Sequence, residues 1–348
     1  MNNRVARSIR ALRKNAARSS YPYAFVMLAY QLAGRAALPM TLRRLQHSDV
    51  GKSATRSVID PESKVYVSLT SWGARVATVH LTIESIARGS QRPGRFVLWL
   101  DDDGWLANLP PELAALQGRG LEIRKSENYG PHTKAYPAIS EGIAPDWLLV
   151  TADDDVIYPR KWLAGLAEAS AKYPENLVAY RTLEYVFESG SDQIAPMRFW
   201  RWVHTTRPNR RFFALGVDGC AYPARLREAL GQRGGAFLAV TPKNDDIWVN
   251  AVAAEIGVTV AQVNRWRRTF PLIPDTQDQG LINTTNGPAG LGLNDIQVNA
   301  TYSQAALSRI RGIDLPRDDA SEPLAERPPK PPLATAAAPS LAERRHSR

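Results

Sequence analysis

Three consecutive carboxylates, Asp153-Asp154-Asp155, stand where the short apolar run from Trp147 to Ala152 ends. A run of that length reads as a buried strand, so the triplet concentrates negative charge at one edge of a sheet. Neighbouring like charges destabilise a fold unless a cation offsets them. Oxygen ligands of this kind suit magnesium, manganese or calcium. In open α/β sheets, ligands collect outside the carboxyl ends of the strands. The triplet is therefore a candidate for metal-assisted chemistry. A solvated loop is the plainer alternative, and a second triplet, Asp101-Asp102-Asp103, closes the run from Arg95 to Leu100. The apolar residues Val156-Ile157-Tyr158-Pro159 after the first triplet set it apart from such a loop.

The elements that must position these acids follow from periodicity. Lys64 to Thr70 alternates and is rich in β-formers, which predicts a first strand. Val76, Val79, Ile83 and Ile86 recur at helical spacing, and Gly89 and Pro93 end that helix. Strands are predicted at Arg95 to Leu100, Leu121 to Arg124 and Trp147 to Ala152, with helices at Pro110 to Gln117 and His132 to Glu141. Strand and helix thus alternate through βαβ units, and the expected fold class is α/β with a mostly parallel central sheet flanked by helices. Beyond the triplet we expect a helix at Pro159 to Lys172, a strand-rich stretch at Leu177 to Glu188 and an irregular segment at Ser189 to Arg211. A strand at Phe212 to Val217, helices at Pro223 to Leu230 and Asp245 to Ile256, and a strand at Val258 to Val263 complete the reading. No internal repeat is present.

Composition excludes several classes. The single cysteine, Cys220, rules out an intrachain disulfide and a cysteine-rich zinc site, and it fits a reducing compartment. The net charge of +10 resides in residues 1–56, which hold eleven Lys and Arg against Asp49 alone; the remainder balances 33 basic against 33 acidic side chains. The body is therefore not a nucleic-acid binder by charge. Arg4, Arg7 and Arg10 beside the stripe Val5, Ile9 and Leu12 predict a basic amphipathic helix suited to an anionic membrane surface through residues 1–44. The apolar run from Tyr21 to Tyr30 is too short to span a bilayer, and the long basic lead argues against a signal peptide. The expected location is cytoplasmic, peripheral at the inner membrane face. Residues 315–348 hold seven prolines and few large apolar side chains, which predicts a disordered tail. Lys52 to Ser63 reads as a linker, so the expected organisation is an N-terminal helical extension over 1–56, a catalytic domain over 64–314 and the tail.

The segments VSLTSWGARVATVHLTIESI, RFVLWLDDD, YGPHTKAYPAI, LLVTADDDVIYPRKWL, GVDGCAYP and NDDIWVNAVA, in this order between Lys64 and Val263, resemble bacterial family-2-like glycosyltransferases of the GT-A fold, a Rossmann-like architecture. The resemblance implies a nucleotide-sugar donor, a divalent metal (Mn2+ or Mg2+), and a glycan or lipid-linked acceptor in polysaccharide synthesis. It implies that Thr70, Ser71, Arg75, Lys134, Asp153 and Asp154 bind the donor, with Asp153 and Asp155 on the metal. Gly216, Asp218 and Gly219 would lie on the acceptor side, although Asp218 and Cys220 depart from the usual pattern there. Asp245 or Asp246 would be the catalytic base, with Asp245 preferred.

The chemistry is self-consistent. A nucleoside-diphosphate leaving group gathers negative charge that a divalent ion and Lys134 can stabilise. The acceptor hydroxyl loses a proton to a carboxylate on the other side. The favoured course is an inverting single displacement, with a retaining one left open. Plainer roles compete: acids in the first turn of a helix complement its dipole, Lys134 can be a surface lysine, and Trp200, Trp202 and His204 can line an acceptor pocket or the core. Other readings are a metal-dependent phosphohydrolase or nucleotidyltransferase, and a non-catalytic carbohydrate-binding module. The transferase reading requires the acids near 153 and near 245 to meet in one cleft.

Overall fold

The structure, a computed structural model, describes residues 40–41, 56–274, 276 and 292–313. The predicted amphipathic helix and the proline-rich tail lie outside the described residues. Among the described residues no helix is long and apolar enough to cross a membrane.

The strands are β1 (Val65–Thr70), β2 (Arg95–Leu100), β3 (Leu121–Lys125), β4 (Leu148–Thr151), β5 (Leu177–Glu184), β6 (Arg201–Trp202), β7 (Phe212–Tyr222) and β8 (Val260–Gln262). The helices are α1 (Val79–Ala87), α2 (Asp103–Ala107), α3 (Pro111–Gln117), α4 (Tyr136–Ser140), α5 (Trp162–Lys172), α6 (Ala224–Gln232), α7 (Phe237–Val240), α8 (Asp245–Glu255), α9 (Leu293–Thr301) and α10 (Gln304–Arg311). One sheet runs in the order β3-β2-β1-β4-β7-β5-β6, with β8 also paired to β5. The ladders β1–β2, β1–β4 and β2–β3 are parallel, as the alternation predicts, and β5–β8 is parallel as well. Beyond β4 the sheet reverses, because β7 lies antiparallel between β4 and β5.

Period-two alternation sends side chains to two cores. Val65, Val67, Leu69, Phe96 and Leu98 join α1, α3 and α5 on one face. Tyr66, Val97 and Trp99 join α4, α6 and α8 on the other. Helix α8 is buried on two sides: Trp248, Val249 and Val252 face the sheet, while Ile247 and Ala251 meet Val298, Ala306 and Ile310 of α9 and α10. Each fully buried aliphatic side chain of this kind contributes about 1.5–3 kcal/mol, which pins the start of α8 against the sheet. Helices α9 and α10 have no counterpart in the sequence reading, which assigned no element after Val263.

Two local differences matter. Residues 56–63 dock rather than hang as a linker: Val58 is fully buried, and its N–H donates to Arg119 O at 2.9 Å. Strand β7 also continues to Tyr222 instead of ending at Val217. Its register against β5 jumps between Ala179–Cys220 and Arg181–Leu215, so the four residues Gly216 to Gly219 stand opposite Tyr180 alone. Asp218 there takes a left-handed φ of 73° and Gly219 one of 105°. That glycine-bearing bulge resembles a strand-ending turn in sequence, yet it is the device that aims the backbone at α8.

Candidate active site

The carboxyl ends of β1, β2 and β4 open onto a cavity of about 290 Å³. It is lined by Thr70, Trp72 and Arg75 after β1, Asp101 after β2, and Asn128, Gly130, Pro131, Thr133 and Lys134 after β3. Ala152, Asp153 and Asp154 after β4, with Lys243 before α8, complete the lining.

Each element delivers its group for a local reason. After β1 a 3-10 turn, Gly73–Ala77, projects Arg75 back across the strand ends. Arg75 Nη1 donates to Asp154 Oδ1 at 2.8 Å, and Arg75 Nη2 lies 3.1 Å from Asp155 Oδ2. Ser71 Oγ donates to the other Asp154 oxygen at 2.7 Å. Burial pushes the Asp154 pKa up, while Arg75 and Ser71 pull against that shift. Thr82 Oγ1 of α1 donates to Asp154 O and Val156 O, both at 2.9 Å, so the triplet's backbone is tied to the helix behind it.

A second 3-10 turn, Gly130–Lys134, brings in the lysine. His132 in this turn stacks on Phe237 with ring centroids 4.0 Å apart, and its Nε2 lies 2.8 Å from Thr241 O. Ser68 Oγ of β1 donates to Lys134 O at 2.7 Å. The Lys134 side chain is consequently buried, which removes the surface-lysine reading. Its Nζ lies 3.3 Å from Asp153 Oδ1 and 3.1 Å from Asp245 Oδ2. The contact to Asp245 is an ion pair without hydrogen-bond geometry, since Asp245 Oδ2 is buried and has no hydrogen-bond partner. Burial acts to lower the Lys134 pKa, but Asp245, Asp153 and Asp246 outweigh it and hold the ammonium well above the usual lysine value.

Helix α8 begins at an Asn244 cap whose side chain accepts from Ile247 N–H at 3.2 Å. Its first turn carries Asp245 and Asp246, where carboxylates also complement the helix dipole. Asp245 is buried on Lys134, whereas Asp246 is half-buried. Asp246 Oδ1 accepts from the Gly216 N–H of the β7 bulge at 2.8 Å. Burial, then repulsion from Asp245, pushes the Asp246 pKa up to about 7. Acids separated by ninety positions in sequence thus converge, with one lysine between them.

The sequence-predicted residues divide accordingly. Thr70, Arg75, Lys134, Asp153 and Asp154 line the cavity, and Ser71 supports it through Asp154. Asp155 does not line the cavity and sits beside Arg75. Gly216 packs against Asp246 and Lys134. Asp218 is buried beneath the bulge, 3.4 Å from Arg181 and accepting from Phe270 N–H at 3.2 Å, and burial pushes its pKa up to about 6. Gly219 lies on the Trp162 ring. Trp200 is core, donating to Ala195 O at 2.7 Å. Of the second acidic triplet, Asp101 lines the cavity, Asp102 caps α2, and Asp103 is 2.6 Å from Lys125. Sequence reasoning missed Trp72, Asn128 and Lys243. The strand-end rule that found Asp153 also points to Trp72 and Asp101; Asn128 and Lys243 carry no comparable signal.

A hard divalent ion fits this donor set at one side chain. Asp153 keeps 22 % of its side chain exposed, whereas Asp154 and Asp155 are engaged by Arg75. Among the described residues no group of three or more His, Cys, Asp or Glu is placed to hold a metal. Magnesium is commonly held by one or two carboxylates plus substrate phosphates, and Asp153 suits an ion carried in that way.

Gly216 is the tightest point. A methyl group there would sit 2.5 Å from Asp246 Oδ1 and 2.9 Å from Lys134 Nζ. We expect Gly216→Ala to displace Asp246, to cost about 1–3 kcal/mol of stability in urea titration, and to lower turnover more than substrate affinity. Wild-type turnover in a folded variant would contradict this geometry.

No protein-family profile and no curated protein matches this chain. Among solved structures it is similar to 4-diphosphocytidyl-2C-methyl-D-erythritol synthase from Anaerococcus prevotii, with 12 % identity, a TM-score of 0.41, and coverage of 66 % of this chain and 97 % of that one. A CMP:2-keto-3-deoxy-manno-octonic acid synthetase complexed with CTP matches with 9 % identity, a TM-score of 0.38, and coverage of 64 % and 99 %. GalNAc-T7 with UDP, GalNAc and Mn2+ matches with 11 % identity, a TM-score of 0.41, and coverage of 64 % of this chain and 48 % of that one. These likenesses are loose, and the α/β class of this chain follows from its own strand order and crossovers.

Proposed function

We propose that this chain transfers a sugar from a nucleotide-diphosphate donor to a hydroxyl acceptor. The observation that carries the reading is the Lys134 ammonium, held between Asp153 at a strand end and Asp245 at a helix start. The diphosphate lies in the cavity with Lys134 at its inner wall, where a buried cation stabilises leaving-group charge far better than one in water. A divalent ion on Asp153 supplies further neutralisation of the phosphates when bound. Arg75 fixes Asp154 and Asp155, which keeps the turn after β4 rigid and Asp153 aimed at the cavity.

Asp246 is a better base than Asp245. It is partly exposed, its pKa is near neutral, and it is held by Gly216 N–H; Asp245 is buried against the lysine. The acceptor oxygen forms a bond to the sugar carbon as the carbon–phosphate oxygen bond breaks. The acceptor proton goes to Asp246, and the nucleoside diphosphate leaves with the electron pair. A glycan or lipid-linked acceptor and peripheral attachment through residues 1–44 suit this reading.

A panel of nucleoside diphosphates with and without manganese tests it by melting temperature. At least one member is expected to stabilise the protein, by about 2.7 kcal/mol at a hundredfold excess over its dissociation constant. A nucleotidyltransferase would use the same cavity on a triphosphate without needing a base. Pyrophosphate release from a nucleoside triphosphate, with no sugar transfer, would identify that activity instead.

A further inference from the structure

The even charge balance of the body conceals one dense basic region. Residues 198–211 and 264–268 hold eight arginines and no Asp or Glu. The fold brings the two segments together at the end of the sheet that carries the cavity. Strand β5 is antiparallel to β7, as β4 is, so β4 and β5 point the same way. Strand β6 pairs with the last residues of β5, at Leu183 and Glu184. Strand β8 runs parallel to β5 and ends opposite Ala179, so residues 264–268 emerge at that end too.

Aromatic rings interleave the charges. Arg267 lies over the Trp202 ring at 3.8 Å and Arg181 at 5.3 Å. Arg265 lies over Trp266 at 5.4 Å, and His204 packs on that ring with centroids 4.7 Å apart. Burial, then the charges of Arg267 and Arg265, lowers the His204 pKa. Among the described residues, Asp218 lies 3.4 Å from Arg181 and Glu184 lies 3.7 Å from Arg211. Arg265 and Arg268 are exposed.

The region also adjoins the base. Arg181 pairs with Asp218, which belongs to the bulge whose Gly216 N–H holds Asp246. Along the sheet, the donor cavity lies at β1, β2 and β4, and the arginines lie at β5, β6 and β8, with the bulge and Asp246 between them. We propose that the arginine–tryptophan region binds an anionic glycan acceptor, its phosphate or carboxylate oxygens held by guanidinium groups that the indoles Trp202 and Trp266 back. Guanidinium forks match carboxylate and phosphate geometry, and stacking on the indoles holds Arg265 and Arg267 in place. The inference rests on the transferase reading for the word acceptor, but the binding itself is testable without it.

The test is fluorescence anisotropy on the full chain with three probes: a labelled tetragalacturonate, a labelled phosphorylated oligosaccharide, and labelled maltotetraose as the neutral control. At least one anionic probe is expected to bind about tenfold or more tighter than maltotetraose. That binding should weaken as salt rises from about 50 to about 300 mM. The paired change Arg265→Glu, Arg268→Glu should remove most of it, and Arg265→Lys, Arg268→Lys should retain part. The two anionic probes distinguish carboxylate from phosphate as the recognised group. Neutral and anionic probes binding alike, or unchanged binding after charge reversal, would overturn the proposal. So would sedimentation with phosphatidylglycerol vesicles in the absence of any glycan binding, which would make the region a lipid-surface site. A missing donor-induced melting shift in the wild type, with anionic-glycan binding intact, would instead sink the transferase reading alone.

Discussion

Lys134→Met is expected to slow turnover severely and to destabilise the fold in a pH-dependent way. The methionine fills much of the lysine's volume, so the loss isolates the charge. Removing one partner of a buried ion pair costs about 3–5 kcal/mol, because the remaining charge stays buried and uncompensated. Here Asp153, Asp245 and Asp246 all face the vacated position. The sign with pH is fixed by Asp246. Its folded pKa of about 7 lies above its ordinary value of 3.8, so the folded state binds the proton more tightly. Stability from this group is full at low pH and falls as pH rises through that window. Without the ammonium the folded pKa climbs further and the window widens upward. The variant's deficit should therefore be larger at pH 8 than at pH 5.5, measured by urea denaturation at both. Turnover should fall by about a hundredfold to a thousandfold, the usual cost of deleting one preorganised electrostatic partner. A variant as stable as wild type at pH 8 would place Lys134 outside the charge cluster.

Asp246→Asn should separate chemistry from binding. The amide oxygen still accepts the Gly216 N–H, so the bulge keeps its shape, while proton abstraction is lost. General-base groups contribute about a hundredfold to ten-thousandfold, and kcat should drop within that range with donor affinity nearly unchanged. In the wild type, kcat/KM should rise with pH through about 7 and then level off, as the Asp246 carboxyl ionises. The variant's residual rate should lack that limb. Because the ionised carboxylate is unfavourable in the fold, the variant should also be at least as stable as wild type above neutral pH. Retention of the limb in Asp246→Asn would assign it to another group.

Much of this was legible in the sequence. The apolar runs of β1, β2 and β4 are separated by helical spacing and by Gly and Pro, so the parallel half of the sheet follows from pattern alone. The triplet at a strand end located the cavity because strand ends are where α/β sheets place ligands. The antiparallel half was harder. The Gly216–Gly219 bulge carries the composition of a turn, and only its pairing to β5 reveals a continuing strand. That Asp155 stands outside the cavity lining also escaped the sequence, since its place depends on Arg75, eighty positions away, which lies 3.1 Å from Asp155 Oδ2. The arginine region was hidden by averaging: 33 basic against 33 acidic side chains in the body say nothing of where they cluster. Helices α9 and α10 bury few large residues, and their core contacts are contributed mainly by α8 and its neighbours.

Calorimetric titration of the nucleoside diphosphate that gives the largest melting shift, into wild type, Asp153→Asn and Asp246→Asn, tests most directly whether the two acidic groups serve one substrate. Affinity is expected to fall about tenfold or more in Asp153→Asn, to stay near wild type in Asp246→Asn, and turnover to fall about a hundredfold or more in both. Equal affinity in all three proteins, or full turnover in either variant, would contradict a shared site.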